Sequence, residues 1–220
     1  MSGFEWLPGP VRTLLRRYRH APRLRAQREA LRSLSVAPAK RIIIGSSGTR
    51  FDGWIATDRD VLDLLREDTW MSYFPHDSLD AILAEHVWEH LTADGAFTAA
   101  QVCRRFLKPG GYLRVAVPDG FHPDPAYVAS VRPGGSGSGA MDHKVLYDYV
   151  SFRKLFADAG FEVRLREYFD ERGEFHFDEW DPQDGMIQRS KRFDERNSAA
   201  QLAYTSVILD AFKPLKGAGR

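Results

Sequence analysis

The chain has 220 residues and a single cysteine, Cys103. One thiol can build neither a disulfide framework nor a multi-cysteine metal site. It lies in Ala99-Ala-Gln-Val-Cys-Arg-Arg-Phe-Leu107, a helical pattern, and reads as a buried structural thiol. Long apolar runs are also missing. None approaches the roughly 20 residues that span a bilayer, and the first residues carry no signal-peptide h-region, so the expected location is cytoplasmic. Net charge is small, +1, but unevenly divided. From Met1 to Arg41 ten Lys/Arg face only Glu5 and Glu29, which makes this stretch +8 and leaves −7 for the rest. That division describes a basic arm on a mildly acidic domain.

Hydrophobic residues make up 43% of the chain, enough for one core and one good-sized domain. The expected division is a basic helical extension over residues 1–38 and a domain over 39–220. In the extension Val11, Leu14, Leu15 and Tyr18 recur at helical spacing with Arg16, Arg17 and Arg19 between them. Pro22 is expected to interrupt this helix, and Leu24 to Leu34 to resume it. Residues 11–32 therefore have two readings: contact with an anionic surface, or a helix packed on its own domain with its arginines in water.

The domain opens with Arg41-Ile-Ile-Ile-Gly-Ser-Ser-Gly48. Three β-branched residues in a row read as a buried strand, and the glycines as a turn where backbone can approach a ligand. A second short run, Trp54-Ile-Ala56, leads to Asp58. Strand, glycine turn, strand and acid is how doubly wound α/β proteins hold a nucleoside-like cofactor. Only five residues separate Gly48 from Trp54, too few for a crossover helix. Either that helix is lost or the second run is not a parallel neighbour.

Downstream, Asp60 to Asp63 reads as a short third strand, and Leu79 to Ala84 as a central strand covered on both faces. A helix follows from Gly95 to Phe106, capped by Thr92 or Asp94 and ended by Lys108-Pro-Gly-Gly111. Tyr112 to Val117 reads as a strand. Gly120 to Ala140, rich in Gly, Pro and Ser, reads as a lid without regular structure. Asp142 to Ala159 is helical in pattern, Phe161 to Phe169 and Ala203 to Phe212 are strand-like, and Lys213 to Arg220 a frayed tail. Asp170 to Asn197 is a polar, aromatic-rich excursion.

Four of these segments resemble class I S-adenosylmethionine-dependent methyltransferases: Ile42 to Gly48, Asp77-Ser-Leu-Asp-Ala-Ile-Leu83, Arg104-Arg-Phe-Leu-Lys-Pro-Gly-Gly-Tyr-Leu113, and Phe152 to Phe161 with its Ala159-Gly-Phe161 ending. With Ala84-Glu-His-Val-Trp-Glu-His-Leu91 and Arg114-Val-Ala-Val-Pro-Asp119 they are most similar to small bacterial methyltransferases of the type 11 kind. The resemblance implies an α/β, Rossmann-like, doubly wound seven-stranded sheet. The sheet is mostly parallel with an antiparallel last strand, a shortened first crossover and an N-terminal helical extension. It implies S-adenosyl-L-methionine as cofactor, with Gly45, Ser46, Ser47 and Gly48 under its methionine part, Asp58 on the ribose hydroxyls, Asp63 at the adenine amino group, and Glu85 and His86 at the sulfonium. Ser47 departs from the family pattern, which has a second glycine there.

The implied function is methyl transfer to a small-molecule or glycan-like acceptor. Asp119, His143 and His86 are the candidate catalytic residues. His122, Trp180, Arg189 and Arg192 are the candidate substrate contacts, since aromatic faces stack on rings and guanidinium groups grip anions. Two alternatives remain. One is an inactive methyltransferase-like scaffold. The other is a nucleic-acid methyltransferase led by the basic arm, although the Asn/Asp-Pro-Pro-Tyr/Phe segment of base methylation is absent. His86-Val-Trp-Glu-His90 also matches a zinc-protease pattern, for which Glu171, Glu174, His176 and Asp178 offer third ligands. It directly follows a buried strand, which is the wrong context, and no metal is assigned.

Overall fold

The computed structural model describes residues 9–34 and 36–215, with side chains from Ala21 onward. The arginines of the arm before Ala21, and the last five residues of the expected tail, lie outside that description.

Helix α1 (Gly9–Leu34) runs through Pro22 without a break, where the sequence suggested an interruption. Its C-terminal part packs on the domain: Leu31 and Leu34 are buried in the main core. Strands β1 (Arg41–Ile44) and β2 (Ile55–Ala56) are parallel neighbours, Ile42 opposite Ile55. The connection between them holds no helix, so the crossover helix is lost. α1 packs beside β2, where that helix would be missed.

Asp60 to Asp63 is not a strand. Val61 N–H and Leu62 N–H both donate to the Asp58 carbonyl, a tight turn that puts Val61 and Leu62 into the core. After the short helix α2 (Glu67–Met71) comes β3 (Leu79–Glu85), parallel to β1. Helix α3 (Ala93–Phe106) is capped by Thr92, whose hydroxyl accepts from Gly95 N–H at 3.2 Å. Strand β4 (Leu107–Pro118) takes in the Lys-Pro-Gly-Gly segment as an irregularity, since the register with β3 shifts between Leu79 and Ala81. A Cβ at Gly111 would lie 3.0 Å from the Asp80 carbonyl oxygen, so the segment needs glycine for this close approach.

The Gly120 to Ala140 region contains a helix after all, α4 (Pro125–Val131), started by Asp124 capping Ala126 N–H. The next helix begins later than expected: α5 is Tyr149–Asp158, with Asp148 and Ser151 forming a reciprocal capping box. Strands β5 (Glu162–Phe169), β6 (Phe175–Phe177) and β7 (Ser206–Phe212) complete the sheet.

The order is β2-β1-β3-β4-β7-β5-β6. The first four are mutually parallel, and β7 is antiparallel to both β4 and β5. The sheet thus has seven strands, but the seventh is the β6 edge, paired antiparallel with β5, and not a strand at residues 60–63.

Alternation along the strands divides two cores. Ile42, Ile44, Ile82, Val115 and Leu209 face α3, α5 and the end of α1. Ile43, Leu83, Ala116 and Ile208 face the other way, onto Trp180 and Ile187 from the polar excursion. That second face also holds a buried ion network. The Arg114 guanidinium is bidentate on Asp210, at 2.7 and 2.9 Å, and Arg166 Nε reaches the same carboxylate at 2.8 Å. The Trp180 ring lies 5.0 Å from the Arg114 guanidinium carbon. The excursion is therefore the cover of this face.

Candidate active site

A cavity of about 560 Å³ opens at the carboxyl ends of β1 and β3, the position where open α/β sheets bind ligands. Gly45, Ser46, Ser47 and Thr49 form one wall, Glu85, His86, Glu89 and His90 a second, Gly137 to Ala140 with His143 a third, and Gln188, Arg189, Arg196 and Tyr204 a fourth.

The first wall follows from backbone conformation. Gly45 has φ +61°, and a Cβ there would lie 2.7 Å from Val87 Cγ2. Ser47 takes φ +47°, a left-handed conformation that the family's glycine would adopt freely. Ser47 N–H is anchored on Asp58 Oδ1 at 3.0 Å, and Ser46 Oγ on the same oxygen at 3.2 Å. Asp58 Oδ2 accepts from Gln27 at 2.7 Å and pairs with Arg23 at 2.6 Å. The proposed ribose acid thus holds the glycine turn with one oxygen and α1 with the other. Asp63 borders neither this cavity nor the smaller groove of about 260 Å³ beside α1. Its Oδ1 accepts from Leu65 N–H, 2.9 Å away.

On the second wall Glu85 accepts from Gln188 N–H and Arg189 N–H, at 3.0 and 2.8 Å. His86 follows with φ +55°, and its Nε2 lies 3.1 Å from Ser206 Oγ. Residues 86–90 do not form an α-helix. They leave the strand and enter a 3-10 turn at Trp88–His90, so His86 and His90 do not share a helix face. Glu89 is buried. Burial is the largest single effect and opposes its ionisation, but His86, the backbone and His90 together hold the carboxyl below its ordinary value. Oε1 is 3.0 Å from His86 Nδ1, an ion-pair distance, although neither carboxylate oxygen has a well-directed hydrogen bond.

His143 is nearly buried, and its Nδ1 lies 2.7 Å from the Val131 carbonyl oxygen. A carbonyl only accepts, so Nδ1 carries the proton and Nε2 keeps its lone pair in the neutral ring.

The other candidates are elsewhere. Asp119 is completely buried outside the cavity, where it accepts from Phe121 N–H and Phe169 N–H at 2.9 and 2.7 Å. Burial pushes its pKa up to about 6. His122 is stacked on Tyr127, with centroids 4.0 Å apart, and burial lowers its pKa. Trp180 Nε1 donates to Glu167, and Arg192 lies over Phe193. Of the four candidate substrate contacts only Arg189 borders the cavity. Sequence reasoning passed over Tyr204 and Arg196, whose guanidinium lies 3.5 Å from the Tyr204 ring centroid. Both sit in stretches with no motif, and only the folding of the excursion over the sheet brings them in.

Residues 53–115 match a family model described as a methyltransferase domain, which spans β2 to β4. Over this stretch the chain is similar to methyltransferase domains. Its sheet is the Rossmann-like methyltransferase sheet described above, and the family match implies S-adenosyl-L-methionine as cofactor.

No curated protein matches the chain. Among solved structures, it is similar to a SAM-dependent methyltransferase from Archaeoglobus fulgidus at 14% identity and TM-score 0.49, covering 90% of this chain and 94% of that one. It is also similar to a possible histamine N-methyltransferase from Thermotoga maritima, at 15% identity and TM-score 0.48, covering 92% and 96%. A third is in the complex of the Haloferax volcanii Trm112 methyltransferase activator with a putative methyltransferase, at 16% identity and TM-score 0.46, covering 90% and 94%. Likenesses this distant carry no information on substrates or residue roles. Among the described residues, no helix is long and apolar enough to cross a membrane.

The cavity suits the methyl-donor half of the cofactor. Its glycine turn brings backbone to the wall, and the carboxylates of Glu85 and Glu89 give the opposite side the sign that a cationic sulfonium requires. The ribose half meets a different situation, because Arg23 and Gln27 already engage Asp58.

Proposed function

We propose that this methyltransferase domain acts on a hydroxyl- or amine-bearing small molecule or glycan-like acceptor, in the cavity above β1 and β3. The observation that carries the reading is the convergence, on one cavity, of the glycine turn, two carboxylates and a histidine of defined tautomer. Gly45 to Gly48, Glu85 and Asp58 would hold the cofactor, which supplies an electrophilic methyl group when bound. The chain's own residues would then align the acceptor and take charge of its proton. The acceptor's reacting atom would lie against Glu89, His90 and His143, where His143 Nε2 presents a lone pair. Gly137 to Ala140, Tyr204 and Arg189 would close the space around it, and Arg189 and Arg196 favour an acceptor with hydroxyl or anionic groups nearby.

The test is incorporation of label from methyl-labelled cofactor into cell extract fractions and simple glycosides. Transfer to a small acceptor is expected with the wild-type protein and a loss of at least a hundredfold with His143→Ala. Labelling of protein or nucleic acid alone would contradict the acceptor class.

A second reading has one observation in its favour. Both Asp58 oxygens are engaged within the protein, as expected of a scaffold that has given up cofactor binding. It predicts no methyl transfer to any acceptor.

A further inference from the structure

We propose that Glu89, His90 and His143 form a binding site for one divalent transition-metal ion, with open coordination positions facing the cavity. The inference deepens the reading above, since it supplies the means by which an acceptor oxygen would be held and its proton lost. The metal site itself stands on geometry alone.

One ligand atom from each of the three residues lies within 4.8 Å of the others. All three residues border the cavity, on walls that come from separate parts of the chain. Glu89 is 1% exposed and has no well-directed hydrogen bond to either carboxylate oxygen. An ionised carboxylate in that position costs several kcal/mol unless a cation compensates it.

His86 compensates in part. Ser206 Oγ donates to the Arg189 carbonyl at 2.8 Å, so it accepts from His86 Nε2–H. The His86 Nδ1 edge meets Glu89 Oε1 at 3.0 Å. That oxygen is thus already approached by one imidazole.

The same oxygen also faces His143. The hydrogen bond to Val131 leaves His143 Nε2 as a lone pair, 4.0 Å from Glu89 Oε1. Two electron-pair donors face each other across a gap that no hydrogen bond bridges. A metal ion with bonds of about 2.0–2.1 Å to imidazole and carboxylate would draw these two donors together. The His90 ring lies edge-on to His143, with centroids 4.8 Å apart, and supplies the third donor.

The Nδ1–H to carbonyl bond of His143 is the supporting contact that metal-ligating histidines typically make. Two imidazoles and one carboxylate with open positions are a donor set for a first-row divalent ion, and an acceptor hydroxyl or vicinal diol is the matching cavity ligand. Metal coordination lowers the pKa of a bound hydroxyl or water. In this arrangement Nε2 acts as a ligand, and the acceptor proton is released to solvent.

The other cluster of this kind among the described residues, Asp170, Glu174 and His176, differs. There His176 Nε2 already bonds Asp170 at 2.9 Å, and Glu174 N–H and Arg172 N–H fill Asp170's other oxygen.

The experiment is a titration of untagged, chelator-treated full-length protein with Zn²⁺ and with Co²⁺, in the absence of the methyl donor. Expected are one ion per chain, visible Co²⁺ absorption, and affinity at least tenfold weaker in Glu89→Gln and in His143→Ala, with His176→Ala unchanged. X-ray absorption of the wild-type Zn²⁺ protein should count two imidazoles, a readout that does not depend on a variant folding. No uptake by the wild-type protein, fewer than two imidazoles, or loss of uptake in His176→Ala alone would overturn the site. Because the donor is left out, a failure here leaves the methyltransferase reading standing, and a failure to bind donor leaves the metal site standing.

Discussion

Asp119 shows how far a residue's role depends on what surrounds it. At the end of a strand it resembles a catalytic acid, but its two oxygens tie Phe121 N–H and Phe169 N–H, joining the ends of β4 and β5. Burial dominates those bonds, and its folded pKa of about 6 stands above the ordinary 3.8. The folded state therefore binds more protons than the unfolded state between those values. Stability from this group is full below pH 4 and is lost as pH rises through about 6. The loss amounts to roughly 3 kcal/mol, the equivalent of about two pKa units. Urea unfolding from pH 4 to pH 7 should show the wild-type stability falling relative to Asp119→Asn, and parallel curves would contradict the assignment. His86 was readable from sequence as a polar residue just past a strand end, and His143 as a candidate across the loop. Their tautomers and mutual distances were not, because a 3-10 turn and a loop some 50 residues later bring them together.

At the scale of elements, the central strands were legible because Ile42 to Ile44 and Leu79 to Ala84 are buried on both faces, and continuous apolar runs report that directly. Val61 and Leu62 misled for the same reason. They are buried, but by a turn around the Asp58 carbonyl and not by strand pairing. Gly120 to Ala140 misled in the opposite sense, since its composition hides a two-turn helix started by Asp124. Pro22 stopped helix α1 on paper, yet α1 continues and delivers Leu31 and Leu34 to the core. The excursion looked like a recognition insert. It covers a sheet face, pinned by Arg114 to the carbonyls of Asp181 and Gly185 and by Asp210 beneath, and it also lends Gln188, Arg189 and Arg196 to the cavity wall. Asp210 lies in β7 and binds arginines from both neighbouring strands. Asp210→Ala leaves two guanidinium groups buried without their carboxylate. It should cost about 3–5 kcal/mol, read as a fall in the urea midpoint. A change below 1 kcal/mol would mean that the network is not holding β4, β7 and β5 together.

For the molecule as a whole, sheet order and cavity position follow from one another: parallel strands β1 and β3 end side by side, and the segments that leave them diverge to open the site. The methyltransferase character was legible because strand, turn and helix-end motifs lie in chain order. The walls were not, since they come from the glycine-rich loop and the excursion. The shortened crossover marks the central question, because α1 now engages the acid that would hold the cofactor's ribose. Isothermal titration of the folded wild-type protein with S-adenosylhomocysteine addresses it directly. Saturable one-to-one binding, with Gln27 and Arg23 yielding Asp58 to the ligand, is the predicted result. Absence of binding by protein whose unfolding remains cooperative would contradict the account.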